Sequence, residues 1–271
     1  EDADVAEVVQ AAFRDGGIAL HTGSEPLAFE ASGMGGVCRL RGPEGEQELV
    51  FDRLLLAVGR SPIVDKLGLE ALGVELTSRG SLSVDDYLRT SIPTIYACGD
   101  VAGPFLFTHM ASHQAWYAAV NALFGRFRKF RVDYSVVPWA TFTDPEVARV
   151  GLSEAEARDR DIPFEVTRYD LDDLDRAIAD GEAHGFVKVL TVPGKDRILG
   201  ATIVGYHAAE LINEFVLAMK HGIGLNKILG TIHIYPTLSE SNKFLAGEWR
   251  KARKPERLLE WVSRYHSWNR R

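Results

Sequence analysis

Cysteine is scarce in this sequence, and the two cysteines present are far apart. Cys38 and Cys98 are the only ones among 271 residues, and they form no CxxC or CxxxxC pair. This count argues against a disulfide scaffold and a cysteine zinc site, and it fits a reducing compartment. Positively charged residues are also outnumbered, because the sequence contains 31 Lys and Arg residues and 38 Asp and Glu residues. The net charge of −7 makes a dedicated nucleic-acid surface unexpected.

Long apolar runs are missing as well. No stretch reaches the roughly 18 apolar residues that a membrane-spanning helix needs, and no secretory signal is visible. We therefore expect a cytoplasmic protein with no membrane segment in this chain. The length of 271 residues suggests about two domains.

The first half of the chain has mixed α/β character. Apolar residues at helical spacing from Val5 to Phe13 predict a helix that ends at Gly16. Strand-like segments follow at 18–22, 27–32, 37–42 and 48–51, separated by glycine-rich turns. The apolar run 54–59 predicts a strand buried on both faces. Within residues 60–107, the sequence pattern predicts a hairpin with strands at 73–76 and 81–84. It also predicts a strand that starts at residue 92 and ends at Gly99 and Asp100.

A second pattern begins near residues 132–137, where we predict a domain boundary. Strands are predicted at 138–142, 148–151, 164–171, 185–192 and 197–204. Helices are predicted at 153–159, 208–221, 239–249 and 255–268. Before the boundary, a helix is predicted at 109–124, and its alanines at positions 111, 115, 118 and 122 lie on one stripe. The predicted fold class is therefore α/β followed by an α+β part, in which helices cover an antiparallel sheet.

The loop at 231–240 joins a histidine to a carboxylate. A carboxylate bonded to one nitrogen of His233 leaves the other nitrogen for proton transfer, and Glu240 could be that carboxylate. Alternatively, Thr237 and Glu240 form a capping box for the following helix, with His233 as an ordinary loop residue. Spacing alone favours the capping box.

Gly99 and Asp100 are the second candidate site. A glycine at the end of a strand lets a ligand approach the backbone, and an aspartate can accept hydrogen bonds from hydroxyl groups. The N-terminus of the helix at 109–124 would favour a phosphate. An ordinary turn before a helix explains the same residues. His109 and His113 have zinc-like spacing, but no third ligand is apparent, so no metal site is expected.

The C-terminal segment combines basic and aromatic residues. Arg250 to Lys254 invites a nucleic-acid or membrane interpretation, with Trp261, Tyr265 and Trp268 nearby. The helical spacing of the aromatic residues instead favours a helix that packs its aromatic face while the basic residues stay solvated.

Several motifs, taken together and in order, resemble the pyridine nucleotide–disulfide oxidoreductases. They are Leu54-Leu-Leu-Ala-Val-Gly-Arg-Ser-Pro62, Val84-Asp85 with Arg89-Thr90, Pro93-Thr-Ile-Tyr-Ala-Cys-Gly-Asp100, Thr143-Asp-Pro-Glu-Val-Ala-Arg-Val-Gly-Leu-Ser-Glu154 and His233-x-x-Pro236-Thr-Leu-Ser-Glu240. The resemblance covers the C-terminal half to two-thirds of such enzymes. It implies that 1–59 is the trailing part of an NAD(P)-binding domain, 60–135 the returning part of an FAD-binding domain, and 136–271 a homodimer interface domain.

The resemblance also implies roles for the two candidate sites. FAD would be bound by Gly99, Asp100 and the start of the helix at His109, Met110 and Ala111. His233, held by Glu240, would act as acid/base in the other subunit's active site. Electrons would pass from NAD(P)H to FAD, then to a disulfide and to a small-molecule or disulfide substrate.

Three family features are absent from this sequence: both glycine-rich nucleotide loops and the CxxxxC pair. We therefore expect a fragment that does not transfer a hydride by itself. In an alternative interpretation, this chain is a dimerisation module that binds no cofactor. The parent could also be a disulfide-free flavoprotein such as a transhydrogenase or NADH oxidase. The paired C-terminal cysteines of mercuric reductase are missing too, which weakens mercury as the substrate.

Overall fold

The computed structural model describes residues 1–65 and 67–270, and it describes 256–258 by their helical backbone alone. Two compact units result. One combines Glu1–Leu20 with Ser135–Arg271, and the other is His21–Tyr134. The division falls within the predicted boundary range of 132–137. The further division of the first half into NAD(P) and FAD parts stays a prediction.

The elements follow one another along the described chain. The helices are α1 (Ala3–Asp15), α2 (Thr108–Phe124), α3 (Glu154–Asp159), α4 (Asp175–Asp180), α5 (Ala208–Leu211), α6 (Asn213–Lys220), α7 (Leu225–Leu229), α8 (Glu240–Lys251) and α9 (Glu256–Asn269). The strands are β1 (Glu25–Ser32), β2 (Gly35–Gly42), β3 (Gly45–Phe51), β4 (Pro138–Thr141), β5 (Glu146–Gly151), β6 (Glu165–Asp170), β7 (Phe186–Thr191) and β8 (Ile198–Gly205).

The unit His21–Tyr134 contains the predicted antiparallel meander, in the order β1-β2-β3. Its two turns use glycines with positive φ, Gly33 at 61° and Gly45 at 115°. Alternate residues of β2 are buried, including Cys38 and Leu40, whereas β1 and β3 are mostly exposed. Cys38 is therefore a packed residue of the sheet.

The predicted strand at 54–59 is wrong. Leu55 is 87% exposed and Val58 is 89% exposed, and the run has no strand structure. A buried strand needs neighbours to accept and donate its backbone hydrogen bonds, and in the described part of the chain none pairs with this run. The predicted hairpin at 73–84 and the strand from residue 92 likewise reduce to single bridges, Leu76 with Leu82 and Arg89 with Tyr96. The segment 18–22 is not a strand either.

The larger unit is built on a five-stranded antiparallel sheet in the order β4-β5-β8-β7-β6. All five strands were predicted, with ends that differ by a few residues. Every residue of β7 is buried, as is all of β8 except Leu199. Because β7 and β8 are covered on both faces, they read as apolar runs rather than as alternating sequences. Helices α5 to α8 supply the residues that pack on the sheet, among them Phe215, Leu225, Leu245 and Trp249.

The helix predictions need correction at several points. The single helix predicted at 208–221 is two, α5 and α6, and the short helices α4 and α7 were missed. On α2 the alanine stripe is not the packed face, because Ala115 and Ala122 are exposed. The buried residues of α2 are Met110, Gln114, Ala118 and Asn121. Two of these are polar, and hydrogen bonds rather than apolar spacing place them inside.

Helix α9 forms as predicted, but its aromatic face is not packed on this chain. Trp261 is 65% exposed, Tyr265 is 47% exposed and Trp268 is 72% exposed. Helical spacing predicts that such residues share a face, but it carries no information about what covers them. Across residues 1–65 and 67–270, none of the helices has the length and apolar character needed to cross a bilayer.

Candidate functional site

The loop between α7 and α8, residues 231–239, carries the first candidate site. Its side chains alternate, since Ile232 is 92% exposed and Ile234 is 78% exposed, while the His233 side chain is only 7% exposed. The Tyr235–Pro236 peptide bond is cis. The loop therefore presents two isoleucines outward and turns its histidine inward.

His233 is held by a carboxylate, and that carboxylate is Glu214 of α6. Its Nε2 lies 3.0 Å and 3.2 Å from the two carboxylate oxygens, and its Nδ1 lies 3.2 Å from the carbonyl oxygen of Thr231. The buried Asn242 of α8 donates to Glu214 Oε2 at 2.9 Å and to the Leu211 carbonyl at 3.1 Å. Two helices and a loop thus fix the imidazole, and both ring nitrogens face oxygen atoms.

The expected contact between His233 and Glu240 is not formed. Glu240 Oε2 instead accepts a hydrogen bond of 3.1 Å from the Thr237 backbone N–H. This is one half of the predicted capping box; the Thr237 hydroxyl donates to the Ile234 carbonyl at 2.6 Å instead of completing it. Glu240 lies in the first turn of α8, where the helix dipole stabilises a negative charge. No spacing rule links Glu214 to a histidine 19 residues later, so the sequence alone could not identify this pair.

Tyr235 is the exposed polar group of the loop, with 67% of its surface accessible. Its hydroxyl donates to Asp175 Oδ2 at 2.9 Å. That hydrogen bond, with the negative charge of Asp175, raises the pKa of Tyr235 above its ordinary value. The sequence interpretation passed over this residue, although its position directly before Pro236 marked it as part of the motif.

A cavity of about 620 Å³ lies beside this loop. The loop contributes residues 236–239, and α4 contributes Arg176 and Asp180. Arg176 Nε lies 2.6 Å from Asp180 Oδ2, so the charges on that wall are already paired. Tyr206 and His207 form another wall.

In the other unit, the chain around Gly99 has a backbone conformation that favours glycine. Gly99 has a φ of +77°, and a Cβ added there would lie 3.1 Å from the Cβ of Ala111. Asp100 follows with a side chain that is 40% exposed, and the Arg60 guanidinium lies 3.3 Å from its Oδ2. Arg60 also donates to the Leu106 carbonyl at 3.3 Å. The result is an accessible carboxylate beside a tightly packed glycine.

Gln114 of α2 holds this segment in place and was not singled out from the sequence. It is fully buried. Its Oε1 accepts from the Gly99 N–H at 2.6 Å, and its Nε2 donates to the Gly103 carbonyl at 2.7 Å and to the Tyr134 hydroxyl at 2.8 Å. A glutamine between His113 and Ala115 in a predicted helix gives no sequence signal for this role, which depends on the fold.

The predicted residues at the start of α2 lie in different environments. His109 is exposed and stacks on Phe107 with a ring-centroid distance of 5.2 Å. Met110 is 4% exposed and belongs to the core, so only its backbone could approach a ligand. Ala111 contacts the Gly99 region, as described above. The helix has no side-chain cap at Phe107.

Two clusters of possible metal ligands occur among the described residues. Asp144, Glu182 and His184 lie together on the surface, and Asp2, Asp4 and Glu154 form the other. The second is filled by the Lys188 ammonium group, which lies 2.9 Å, 2.7 Å and 3.0 Å from these three carboxylates. Neither cluster contains His109 or His113.

The Lys188 cluster joins α1 to the sheet. Burial by itself would lower the pKa of Lys188, but the hydrogen bonds that its ammonium group donates to Asp4, Asp2 and Glu154 outweigh burial and raise the pKa. Burial would likewise raise the pKa of Asp2. The bonds from Lys188 and from the Ala155 and Glu154 N–H groups instead hold that pKa below its ordinary value. The sequence signal available for this cluster was a lysine in the middle of the mostly apolar strand β7.

Comparison with known proteins gives two matching regions. Residues 1–122 match the family described as pyridine nucleotide-disulphide oxidoreductase, and residues 137–245 match its dimerisation domain. Dihydrolipoyl dehydrogenase from Chlamydia pneumoniae is 37% identical over 88% of this chain and 50% of its own length. Mercuric reductase from Streptomyces lividans is 33% identical over 91% of this chain and 52% of its own length. The chain spans about half the length of the curated relatives it matches.

Solved structures agree with these matches. LpdA from Mycobacterium tuberculosis superimposes with a TM-score of 0.82 at 28% identity, over 91% of this chain and 52% of that one. The HOCl-induced flavoprotein disulfide reductase RclA from Escherichia coli gives a TM-score of 0.81 at 27% identity, over 91% and 56%. The chain therefore shares its fold with about half of each of these two proteins. The chain belongs to the pyridine nucleotide-disulphide oxidoreductase family, as its motifs predicted.

Proposed function

We propose that this chain is the C-terminal part of an FAD-dependent oxidoreductase that uses NAD(P)H to reduce a disulfide or a related small molecule. The loop at 231–239 carries the proposal. Its exposed isoleucines and Tyr235 form a surface that a second subunit could cover, while Glu214 fixes His233 behind them. Residues 136–271 would form the homodimer, and the loop would then belong to the partner subunit's active site.

The residues around Gly99 fit an FAD. The positive φ of Gly99 and its close packing on Ala111 leave no room for a side chain, which holds the Gly99–Asp100 segment against the start of α2. Asp100 is accessible enough to accept hydrogen bonds from the ribityl hydroxyls. The backbone at His109, Met110 and Ala111 would approach the flavin. When bound, FAD supplies the electron transfer between NAD(P)H and the substrate.

We keep the acid/base role for His233, but the carboxylate that orients its imidazole is not the one expected from the sequence. Glu214, rather than Glu240, would orient the imidazole, and Glu240 would hold the Thr237 turn. In the isolated chain both nitrogens of His233 face oxygens, so proton transfer would require one of these contacts to open. Tyr235 is an exposed alternative to His233 as the acid/base group, because its hydroxyl could release Asp175 and form a hydrogen bond with a substrate instead.

A variant series in the dimeric parent enzyme tests this assignment. We expect His233→Ala to slow turnover of the disulfide substrate while flavin reduction by NAD(P)H stays unchanged. Glu214→Gln should reproduce part of that loss, and Glu240→Gln should not. If Tyr235→Phe removes turnover and His233→Gln retains it, Tyr235 is the acid/base group and the role proposed for His233 is wrong.

We also propose that the chain alone is inactive, because it contains neither a CxxxxC pair nor a glycine-rich nucleotide loop. A cofactor-free dimerisation module is the second candidate, and the exposed run at 54–58 favours it, since that part of the unit His21–Tyr134 is open. An absorption spectrum after incubation with excess FAD and gel filtration separates the two. Flavin bands at one FAD per chain would exclude the cofactor-free module. Light scattering that shows only monomers would contradict the dimer.

A further inference from the structure

The charges of this protein are strongly segregated along the chain. Residues 250–271 contain eight Lys and Arg and two Asp and Glu, a net charge of +6. The other 249 residues contain 23 basic and 36 acidic residues, a net charge of −13. The segment follows the region that matches the dimerisation domain, which ends at residue 245. Its charge therefore needs an explanation separate from the family fold.

Helix α9 carries an exposed apolar face within this segment. At about 100° per residue, Leu259, Val262, Tyr265, Trp261 and Trp268 fall within an arc of about 180°. The face is accessible, with Leu259 50% exposed, Trp261 65% exposed and Trp268 72% exposed. Trp261 and Tyr265 stack with their ring centroids 6.2 Å apart, which makes the face continuous.

Basic residues border this face. On the same wheel, Arg264 lies about 40° beyond Trp268 and Arg270 about 20° beyond Leu259, one at each edge of the apolar arc. Glu260 lies on the opposite, polar side. Long basic side chains at the edges of an apolar face reach toward anionic groups while the aromatic rings enter a less polar layer.

The start of the segment is anchored on the folded unit. Arg253 forms an ion pair with Glu165 of β6 and stacks over the Trp249 ring at 4.3 Å. Arg250, Lys251 and Lys254 are exposed around this anchor. A second group of positive charges therefore lies just before α9, on a fixed base.

We propose that residues 250–271 dock this protein on an anionic lipid surface. The basic residues would contact the headgroups, and the Trp261–Tyr265–Trp268 face would lie at the headgroup boundary. Tryptophan and tyrosine favour that layer, because each has an apolar ring and a polar group. Nucleic acid explains the charge but not a face that continues from aromatic rings to Leu259 and Val262. A second copy explains the apolar face, and the test below distinguishes it.

Vesicle co-sedimentation of the full chain tests the proposal, with phosphatidylcholine vesicles that contain or lack about a third of phosphatidylglycerol. We expect binding only to the anionic vesicles, and weaker binding as salt is raised. Arg250→Ala with Lys254→Ala should weaken binding about fivefold for each residue removed. Trp261→Ser with Trp268→Ser should weaken it at least tenfold. Lys195→Ala with Lys227→Ala, two exposed lysines outside the segment, is the matched control and should leave binding unchanged.

Three results would overturn the proposal. One is equal binding to both vesicle types, or none to the anionic vesicles at low salt. Another is loss of binding in the Lys195 and Lys227 control equal to that of the tail variants. The third is a gel-filtration shift from dimer to monomer when Trp261 and Trp268 are replaced, without lipid, because a second copy would then cover the face. Since these side chains are exposed, the variants should fold, and circular dichroism checks this.

Discussion

The two units differ in how completely their apolar residues are covered. In the larger unit, strands β7 and β8 are almost fully buried, and Phe186, Phe215 and Ile203 are each 0% exposed. In the unit His21–Tyr134, the apolar run at 54–58 lies open, with Leu55 87% exposed and Val58 89% exposed. Both units contain an apolar run that reads as a buried strand. Among the residues that the structure describes, only the run in the larger unit has a neighbouring strand on each side.

This difference shows that an apolar run needs partners as well as composition. Strand β7 pairs with β6 and β8, so its backbone and both faces are satisfied. The run at 54–58 has no such neighbours among the residues that the structure describes. The larger unit should therefore account for most of the stability of the isolated chain, and the following variants test that comparison.

The largest expected effect concerns the buried lysine of the larger unit. Lys188→Met removes the cation that neutralises Asp2, Asp4 and Glu154. Loss of one partner from a buried ionic cluster typically lowers the free energy of unfolding by about 3–5 kcal/mol. Urea unfolding of the chain measures this. Lys195→Met, at an exposed turn, should change the free energy by less than about 0.5 kcal/mol, and an equal loss in both variants would refute the role of the cluster.

A matched pair of leucines compares the units directly. Leu190 is 1% exposed in β7, so Leu190→Ala should lower the free energy of unfolding by about 2–5 kcal/mol through lost burial and a cavity. Leu55→Ala should stay within about 0.5 kcal/mol. Thermal or urea unfolding of both variants gives the comparison. A similar loss in Leu55→Ala would mean that the run is covered in solution, for instance by another chain.

Within the smaller unit, Gln114 gives a test of local order. Gln114→Ala leaves the Gly99 N–H and the Gly103 carbonyl without their partner, at a cost of about 1–3 kcal/mol. The loss should appear as faster amide hydrogen exchange around Gly99, with the larger unit unaffected. Gln47→Ala, at an exposed position of β3, is the control. Equal exchange at Gly99 in wild type and Gln114→Ala would contradict this role.

Acid should weaken the larger unit through Asp2. Its pKa is lower in the folded state than the ordinary value of 3.8. Asp2 therefore contributes stability above that ordinary value, and the contribution is lost as the pH falls through the folded pKa. We expect the midpoint of thermal unfolding to fall more steeply below pH 4 in wild type than in Lys188→Met, because the lysine is the main partner of Asp2. Parallel curves for the two proteins would refute this.

The fold was predictable where local patterns and pairing agree. Turn glycines and alternating strands predicted the β1-β2-β3 meander. The candidate site was predictable only in part. The motif pointed to the loop of His233, but Glu214 reaches it from α6, and no local pattern relates two residues that a fold brings together. The same applies to Gln114, whose three hydrogen bonds join segments far apart in sequence.

The sequence by itself determined the family, the strands of both antiparallel sheets, and the charge contrast between residues 250–271 and the rest. These follow from composition, spacing and motif, which are local properties. Only the tertiary structure decided which carboxylate holds His233, that Lys188 closes an acidic cluster, and that the apolar run at 54–58 and the aromatic face of α9 stay exposed. The reason is physical: burial and hydrogen bonding depend on which distant elements meet, and spacing along the chain does not specify that.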